Sequence, residues 1–268
     1  MNANNEALLF DYLGQHLVAL CGVYVPLDAA GRPKGEERSV SFSGFVIVLD
    51  GAWFVITAGH VLGERFGDAI RNRRVQLNHC SLADYFGKNA KTQMPTVISF
   101  DDLPKFHVDD RQLGLDIGVL KLRDFYVSGL ESNGVVPLPE ASWLEGDSSD
   151  AQDFAILGFP NEEKHGEDGN PVVEWVRPCL AGVVTCALPS DAPVTAYPLF
   201  VGKLRADEPI SVEGFSGGPI FRLKQEEGGL KYWLHGVQAF WRPQSRITFG
   251  CPMSVVAQLI REKFGKPT

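Results

Sequence analysis

The chain has few cysteines, and their spacing matches neither a redox motif nor a zinc motif. Five cysteines occur among 268 residues, an odd number, and no two of them form a Cys-x-x-Cys pair. Disulfide-stapled secreted domains carry dense, even sets of cysteines, and structural zinc sites carry closely spaced pairs. We therefore predict free, mostly buried thiols. A Cys179–Cys186 bridge across a turn is the alternative, which a reducing compartment disfavours.

The N-terminal segment lacks both features of a secretory signal, a basic start and a continuous apolar core. Residues 1–7 contain no Lys or Arg, and the apolar stretch that follows is interrupted by Asp11, Gln15 and His16. Signal peptides and membrane anchors need an uninterrupted apolar run. We therefore expect a cytoplasmic protein with no membrane partner.

Positive charge is scarce as well. Lys and Arg number 25 against 33 Asp and Glu, which gives a formal net charge of −8. Proteins that bind nucleic acid cluster Lys and Arg against the phosphates, so we expect no nucleic-acid partner. The acidic loop 161–170 around His165 matches no ligand spacing of a metal site. The sequence thus predicts no metal and no cofactor.

The chain does contain many apolar segments of strand length. Residues 40–49 and 53–57 flank Asp50-Gly51, a strong signal for a β-hairpin turn. A short helix is predicted over residues 6–17, and the acidic stretch 140–153 is typical of a connection. Further strands are predicted at 151–159, 174–187, 197–203, 219–223, 231–240 and 246–251. The pattern is that of a mainly β protein.

Three motifs supply a serine, a histidine and an aspartate. Ser216 lies in the glycine-rich loop 214–219, His60 follows the apolar strand 53–57, and Asp116 begins an alternating segment. A serine hydroxyl is a weak nucleophile at neutral pH and needs a neighbouring base, which imidazole provides. A buried carboxylate can hold that imidazole in one tautomer. We interpret Ser216 as nucleophile, His60 as general base and Asp116 as its orienting group, which together indicate a serine hydrolase.

Each motif alone also has a structural explanation: a tight turn, a strand-end histidine and a solvated aspartate at the start of a strand. Their joint occurrence, in one consistent order, favours a catalytic site. Glycines around Ser216 allow backbone amides to converge on one point. The N–H groups of Gly214 and Ser216 are therefore the candidate oxyanion hole.

These motifs resemble those of trypsin-like (chymotrypsin-fold) serine proteases, and residues 249–264 look like the last strand and closing helix of bacterial Deg-type members. The resemblance implies an all-β fold, a double antiparallel β-barrel with a short C-terminal helix. Residues 1–139 would form the barrel with His60 and Asp116, and residues 140–268 the barrel with Ser216. The implied activity is that of a bacterial, cytoplasmic serine endopeptidase that acts on protein or peptide substrates without a cofactor.

The same resemblance implies a substrate pocket formed by Ile210, Glu213, Ala239, Phe240 and Trp241. Ile210 stands where trypsins have the aspartate that selects Lys or Arg. Bulky Phe240 and Trp241 would narrow the pocket, unless they are only packing residues of an edge strand. The expected preference is for small or medium apolar residues before the cut bond.

Phe215 departs from the family pattern. Secreted trypsins have an aspartate there, which pairs with a freshly cut N-terminus, so that zymogen switch is excluded. In Deg-type proteases as a class, loops of this kind order only on binding. The alternative function is therefore a protease-fold module that binds a partner protein and is inactive, or is active only when an activating partner orders the oxyanion loop.

Overall fold

The computed structural model describes residues 10, 12–72, 74–143, 153–160, 178–192, 194–206, 211–227 and 229–265. Eight strands in the N-terminal half are β1 Leu17–Pro26, β2 Arg38–Leu49, β3 Ala52–Thr57, β4 Val75–Ala83, β5 Thr96–Val97, β6 Lys105–Asp110, β7 Leu115–Lys121 and β8 Leu138–Pro139. They form one sheet in the order β5-β4-β1-β2-β3-β7-β6, with β8 parallel to β2 and all other pairs antiparallel.

Six strands of the C-terminal half form a closed antiparallel barrel. They are β9 Phe154–Gly158, β10 Cys179–Thr185, β11 Phe200–Leu204, β12 Pro219–Glu226, β13 Gly229–Arg242 and β14 Ile247–Pro252. Their order around the barrel is β10-β11-β14-β13-β12-β9. The described helices are a π-helical segment at Val61–Gly67, α1 Asp68–Arg71, α2 Asp124–Ser132 and α3 Met253–Phe264, with 3-10 turns at Gly14–His16 and Glu140–Ser142. None of these helices has the length and apolar character needed to cross a membrane.

The predicted fold class is confirmed: the chain is all-β, a chymotrypsin-like double β-barrel with a short C-terminal helix. The predicted hairpin is present as β2 and β3, and its turn residues Asp50 and Gly51 have φ of 51° and 78°. Positive φ at both positions is what a type I′ turn requires. All five cysteines are thiols outside any disulfide, as predicted. Residues 6–9 and 11 of the predicted helix 6–17, and the whole loop 161–170, lie outside the described residues. In the described part, residues 10, 12 and 13 are helical, Gly14–His16 is a 3-10 turn and Leu17 begins β1, so the helix ends earlier than predicted.

Alternate residues of the strands face two different cores. On β1, Val18 and Leu20 belong to the core of the N-terminal half, whereas Leu17 and Ala19 join a second cluster shared with the C-terminal half. Side chains of a strand alternate between its two faces, so one strand can serve both cores. Burial on both faces explains why β1 begins as a continuous apolar run. The shared cluster fixes the two halves against each other, and their loops meet at its edge.

Two histidines, the buried His16 and the partly buried His235, lie away from the proposed catalytic residues. The imidazole of His16 lies 2.6 Å from the Val136 carbonyl oxygen through Nδ1 and 2.9 Å from the Tyr232 hydroxyl through Nε2. Burial lowers its pKa to about 4. His235 packs against the rings of Phe154 and Phe200, and burial, with a smaller contribution from a nearby arginine, lowers its pKa to about 4 as well. Both rings are therefore neutral in the folded protein at pH 7.

We expect the free energy of unfolding to fall as the pH is lowered from 6.5 towards 4. In this window the unfolded chain, whose histidines titrate near 6.5, binds protons that the folded chain does not, so stability rises with pH. Each histidine costs about 1.4 kcal/mol per pH unit, or about 3 kcal/mol by pH 4. Urea denaturation of His235→Phe at pH 7 and pH 4.5 should show a smaller acid loss than wild type. The exposed His79→Gln is the control, and equal losses in wild type and His235→Phe would contradict the expectation.

Candidate active site

His60 and Asp116 lie at the same end of two paired strands. His60 follows β3 and Asp116 is the second residue of β7, and these strands pair through Thr57 and Gly118. The backbone N–H of His60 donates to Asp116 Oδ1 at 2.9 Å, and its Nδ1 lies 2.9 Å from Asp116 Oδ2. Asp116 is buried, whereas the His60 side chain is 31% exposed. The carboxylate thus holds the histidine through both backbone and ring.

This geometry fixes which ring nitrogen is available for chemistry. A carboxylate oxygen accepts hydrogen bonds, so Nδ1 carries the proton and, in a neutral ring, Nε2 keeps its lone pair. Burial, together with the negative charge of Asp116, raises the pKa of the nearby Cys251 thiol to about 12. Cys251 therefore stays a neutral thiol beside the carboxylate.

Ser216 lies in a loop that hydrogen bonds hold on both sides. The N–H of Gly217 donates to the Gln238 carbonyl at 2.8 Å, and the N–H of Gln238 donates to the Gly218 carbonyl at 2.9 Å. The buried hydroxyl of Ser43, from the N-terminal half, donates to the Gly214 carbonyl at 2.7 Å. The loop is thus fastened to β13 on one side and to β2 on the other.

Gly217 lets this loop approach the N-terminal half closely. Its φ is 90°, and a Cβ at this position would lie 2.4 Å from the backbone nitrogen of Ala58 and 2.8 Å from the Ser43 carbonyl oxygen. Only glycine combines such a positive φ with such close contacts. The residue after Ser216 therefore packs against the segment that leads to His60.

The amide groups of the loop divide into two sets. Phe215 N–H donates to the Val212 carbonyl at 3.1 Å, and Gly218 N–H donates to the Phe215 carbonyl at 2.7 Å. Among the described residues, the N–H groups of Gly214 and Ser216 have no protein acceptor. Two neighbouring donors without protein acceptors are what an oxyanion hole needs, because they must be available when negative charge develops on a substrate oxygen.

A cleft of about 500 Å³ between the two halves brings His60, Asp116 and Ser216 together. The Ser216 hydroxyl lies 3.5 Å from the Ala239 carbonyl oxygen, which is too long for a strong O–H···O hydrogen bond. Residues of both halves form the walls: Asp109, Arg111, Ala192, Thr195, Leu199, Ala239, Phe240, Trp241, Arg242 and Phe249.

The predicted substrate residues fall into three groups. Ala239, Phe240 and Trp241 line the cleft beside Ser216. Glu213 is exposed on the loop and is absent from the described lining, and Ile210 lies outside the described residues. The sequence did not point to Ser43 or to the other residues of the cleft lining, Arg111 among them. No local pattern marks these residues, because their positions depend on contacts between distant segments.

Solved structures are similar to this chain at low sequence identity. The Rv3671c protease from M. tuberculosis, active form, matches with a TM-score of 0.50 and 14% identity, over 100% of this chain and 88% of that chain. The serine protease AL20 from an extremophilic microorganism matches at TM-score 0.48 and 13% identity, over 89% and 93% of the two chains. The MamO protease domain from Magnetospirillum magneticum, apo form, matches at 0.45 and 14%, over 90% and 94%. No protein-family model and no curated protein matches the sequence.

The match to the Rv3671c protease agrees with the chymotrypsin-like fold described above. At 14% identity the match to the Rv3671c protease is evidence for the fold alone. Function has to be argued from the residues that line the cleft, because one fold can carry many activities.

Proposed function

We propose that this chain is a serine endopeptidase that cleaves protein or peptide substrates through an acyl-enzyme. One observation carries the proposal: His60 and Ser216 line one cleft, and Asp116 binds the His60 ring at 2.9 Å behind it. A nucleophile, a base and an orienting carboxylate in this relation form the triad that hydrolyses acyl bonds. As the resemblance implies, we also propose a bacterial, cytoplasmic protein of Deg-type style that needs no cofactor.

In the proposed reaction, Ser216 Oγ attacks the carbonyl carbon of the cut bond and its proton passes to His60 Nε2. The negative charge that develops on the carbonyl oxygen is stabilised by the N–H groups of Gly214 and Ser216. The imidazolium formed at His60 is stabilised by Asp116. His60 then gives its proton to the leaving amine as the C–N bond breaks, which leaves the acyl group on Ser216. Water, deprotonated by His60, releases the acid product and restores the serine.

The residues along β13 would bind the substrate segment before the cut bond. Ala239, Phe240 and Trp241 line the cleft and are large or apolar, and Phe249 adds a further apolar surface. We propose a preference for small or medium apolar side chains directly before the cut bond. An extended substrate could add to β13 as a further strand, with backbone hydrogen bonds supplying most of the affinity.

A fluorophosphonate probe tests the proposed nucleophile. The probe should form a covalent adduct with Ser216, because only a base-activated serine attacks it readily. Digestion and mass spectrometry should map the adduct to Ser216, and Ser216→Ala should abolish it. The partly exposed Ser142→Ala is the matched control and should label like wild type.

Two results would count against the proposal. Labelling that persists in Ser216→Ala would show that another residue reacts. A wild-type protein without labelling would favour the partner-binding module, and adding candidate partners would then distinguish an inactive module from a conditional enzyme.

A further inference from the structure

One arginine of the cleft stands apart from the other charged groups. Arg111 is exposed in the turn between β6 and β7, and it lines the same cleft as Ser216. Its guanidinium carbon lies 5.9 Å from the centroid of the Phe240 ring. None of the ion pairs between described side chains includes Arg111. Arg111 thus presents a positive charge that no described ion pair neutralises.

The second arginine of the cleft differs in this respect. Arg242 Nη1 lies 2.8 Å from Asp191 Oδ1, so its charge is balanced and it fastens the segment before β11 to β13. Asp109 also lines the cleft, and it has interactions of its own. The whole chain carries a net charge of −8. The positive charge of Arg111 is therefore a local feature of the cleft, opposite in sign to the net charge of the chain.

The position of Arg111 relates it to a particular part of a substrate. The Ala239 carbonyl oxygen lies 3.5 Å from the Ser216 hydroxyl, so this end of the cleft marks the cut bond. Along β13, Val237 and Gln238 are fully buried, whereas Phe240 and Trp241 line the cleft. A substrate strand that pairs with β13 in the cleft would therefore extend from Ala239 past Phe240. The Arg111 guanidinium, beside the Phe240 ring, would then face substrate side chains a few residues before the cut bond. Side chains of that strand alternate in direction, so one or two of them would point to Arg111.

We propose that Arg111 selects substrates that carry an Asp or Glu side chain two to four residues before the cut bond; this rests on the proposed function. The planar guanidinium can donate two parallel N–H bonds to a carboxylate, which gives direction as well as charge recognition. The Phe240 ring, whose centroid is 5.9 Å from the guanidinium carbon, attracts the guanidinium towards the cleft wall, so less side-chain freedom is lost on binding. Because Arg111 is exposed, water and salt screen its charge and the expected preference is moderate, about five-fold in kcat/KM.

A digest of a diverse peptide library, read by mass spectrometry, tests the proposal. Aligned cleavage sites should be enriched in Asp or Glu at one or more of the second, third and fourth positions before the cut bond. Synthetic pairs that differ only as Asp/Asn or Glu/Gln at that position should differ about five-fold in kcat/KM, and 1 M NaCl should reduce the difference. Arg111→Gln should lower this ratio below about two. Arg111→Glu should cleave a peptide with Lys at that position faster than the matching peptide with Asp.

The exposed Arg38→Gln, on β2 and outside the cleft lining, is the matched control and should keep the wild-type ratio. Fluorophosphonate labelling of Ser216 in each variant separates the two proposals. Normal labelling with no acidic preference, or with a preference that survives in Arg111→Gln, would overturn the role of Arg111 and leave the endopeptidase proposal standing. Absence of both labelling and cleavage would overturn both.

Discussion

Alanine in place of Ser216 is expected to lower kcat by about 10⁶-fold, and alanine in place of His60 to lower it by a similar factor. The double variant should be little worse than either single variant. The reason is that the serine is reactive only while the histidine accepts its proton, so removal of one group makes the other useless. The measurement is kcat on a peptide taken from the library digest, with thermal unfolding to confirm that each variant is folded.

Asp116→Asn provides a finer test of whether Ser216, His60 and Asp116 act together. The asparagine Oδ1 can still accept the backbone N–H of His60, which is 2.9 Å away in the wild type, so the loop should keep its place. The amide NH2 would then face Nδ1 and favour the tautomer with a proton on Nε2, which cannot act as a base. We expect a loss of about 10⁴-fold in kcat, the size found for this change in the serine-protease triad, with a much smaller change in KM.

If the losses in kcat of the two single variants added up in the Ser216 and His60 double variant, the two residues would not act together. A loss below about ten-fold in Asp116→Asn would show that the carboxylate has a structural role only. Either result would still leave the fold assignment intact, because that assignment does not depend on the catalytic residues.

The sequence predicted the parts of the molecule that local patterns determine. Alternating and continuous apolar segments gave the strands, and Asp50-Gly51 gave the hairpin turn. The three motifs gave residues that the structure brings to one cleft, because each motif is a short segment with its own chemistry.

Contacts between distant segments could not be predicted in the same way. Ser43 binds the Gly214 carbonyl across a separation of 171 residues, and no pattern around Ser43 distinguishes it from other strand serines. Arg111 is notable only for its position beside Phe240 and because none of the ion pairs between described side chains includes it. Both properties depend on the folded arrangement of the two halves, so the sequence alone gives no signal for them.

Phe215 shows where a sequence pattern was informative but incomplete. The absence of an aspartate correctly excludes an ion pair of this residue with a new N-terminus, and the sequence left open what anchors the loop instead. In the structure, the Phe215 side chain is fully buried in the interior core of the C-terminal barrel. It packs against Gly158, where a Cβ would come within 2.7 Å of the Phe215 ring. An apolar anchor thus takes the place of an ionic one.

We therefore expect Phe215→Ala to damage both stability and catalysis. Removing a fully buried phenylalanine leaves a cavity and costs about 3–5 kcal/mol in the free energy of unfolding. Phe154→Ala is the matched control, because Phe154 is buried in the same core but lies on β9, away from the oxyanion loop. Urea denaturation should give similar losses for the two variants.

Catalysis should distinguish the two variants where stability does not. Phe215 lies between Gly214 and Ser216, so movement of its backbone into the cavity would displace both proposed oxyanion donors, whereas loss of Phe154 leaves that loop with its hydrogen bonds to Gln238 and Ser43. Removal of one such donor costs about 10²–10³-fold in kcat. At a temperature where both variants are folded, Phe215→Ala should react with the fluorophosphonate at least ten-fold more slowly than Phe154→Ala.

Phe215→Leu, which keeps most of the apolar volume, should lose about 1 kcal/mol in the free energy of unfolding and retain most of the reaction rate. Equal labelling rates in Phe215→Ala and Phe154→Ala would mean that the hydrogen bonds alone hold the loop and that the buried ring serves only the core.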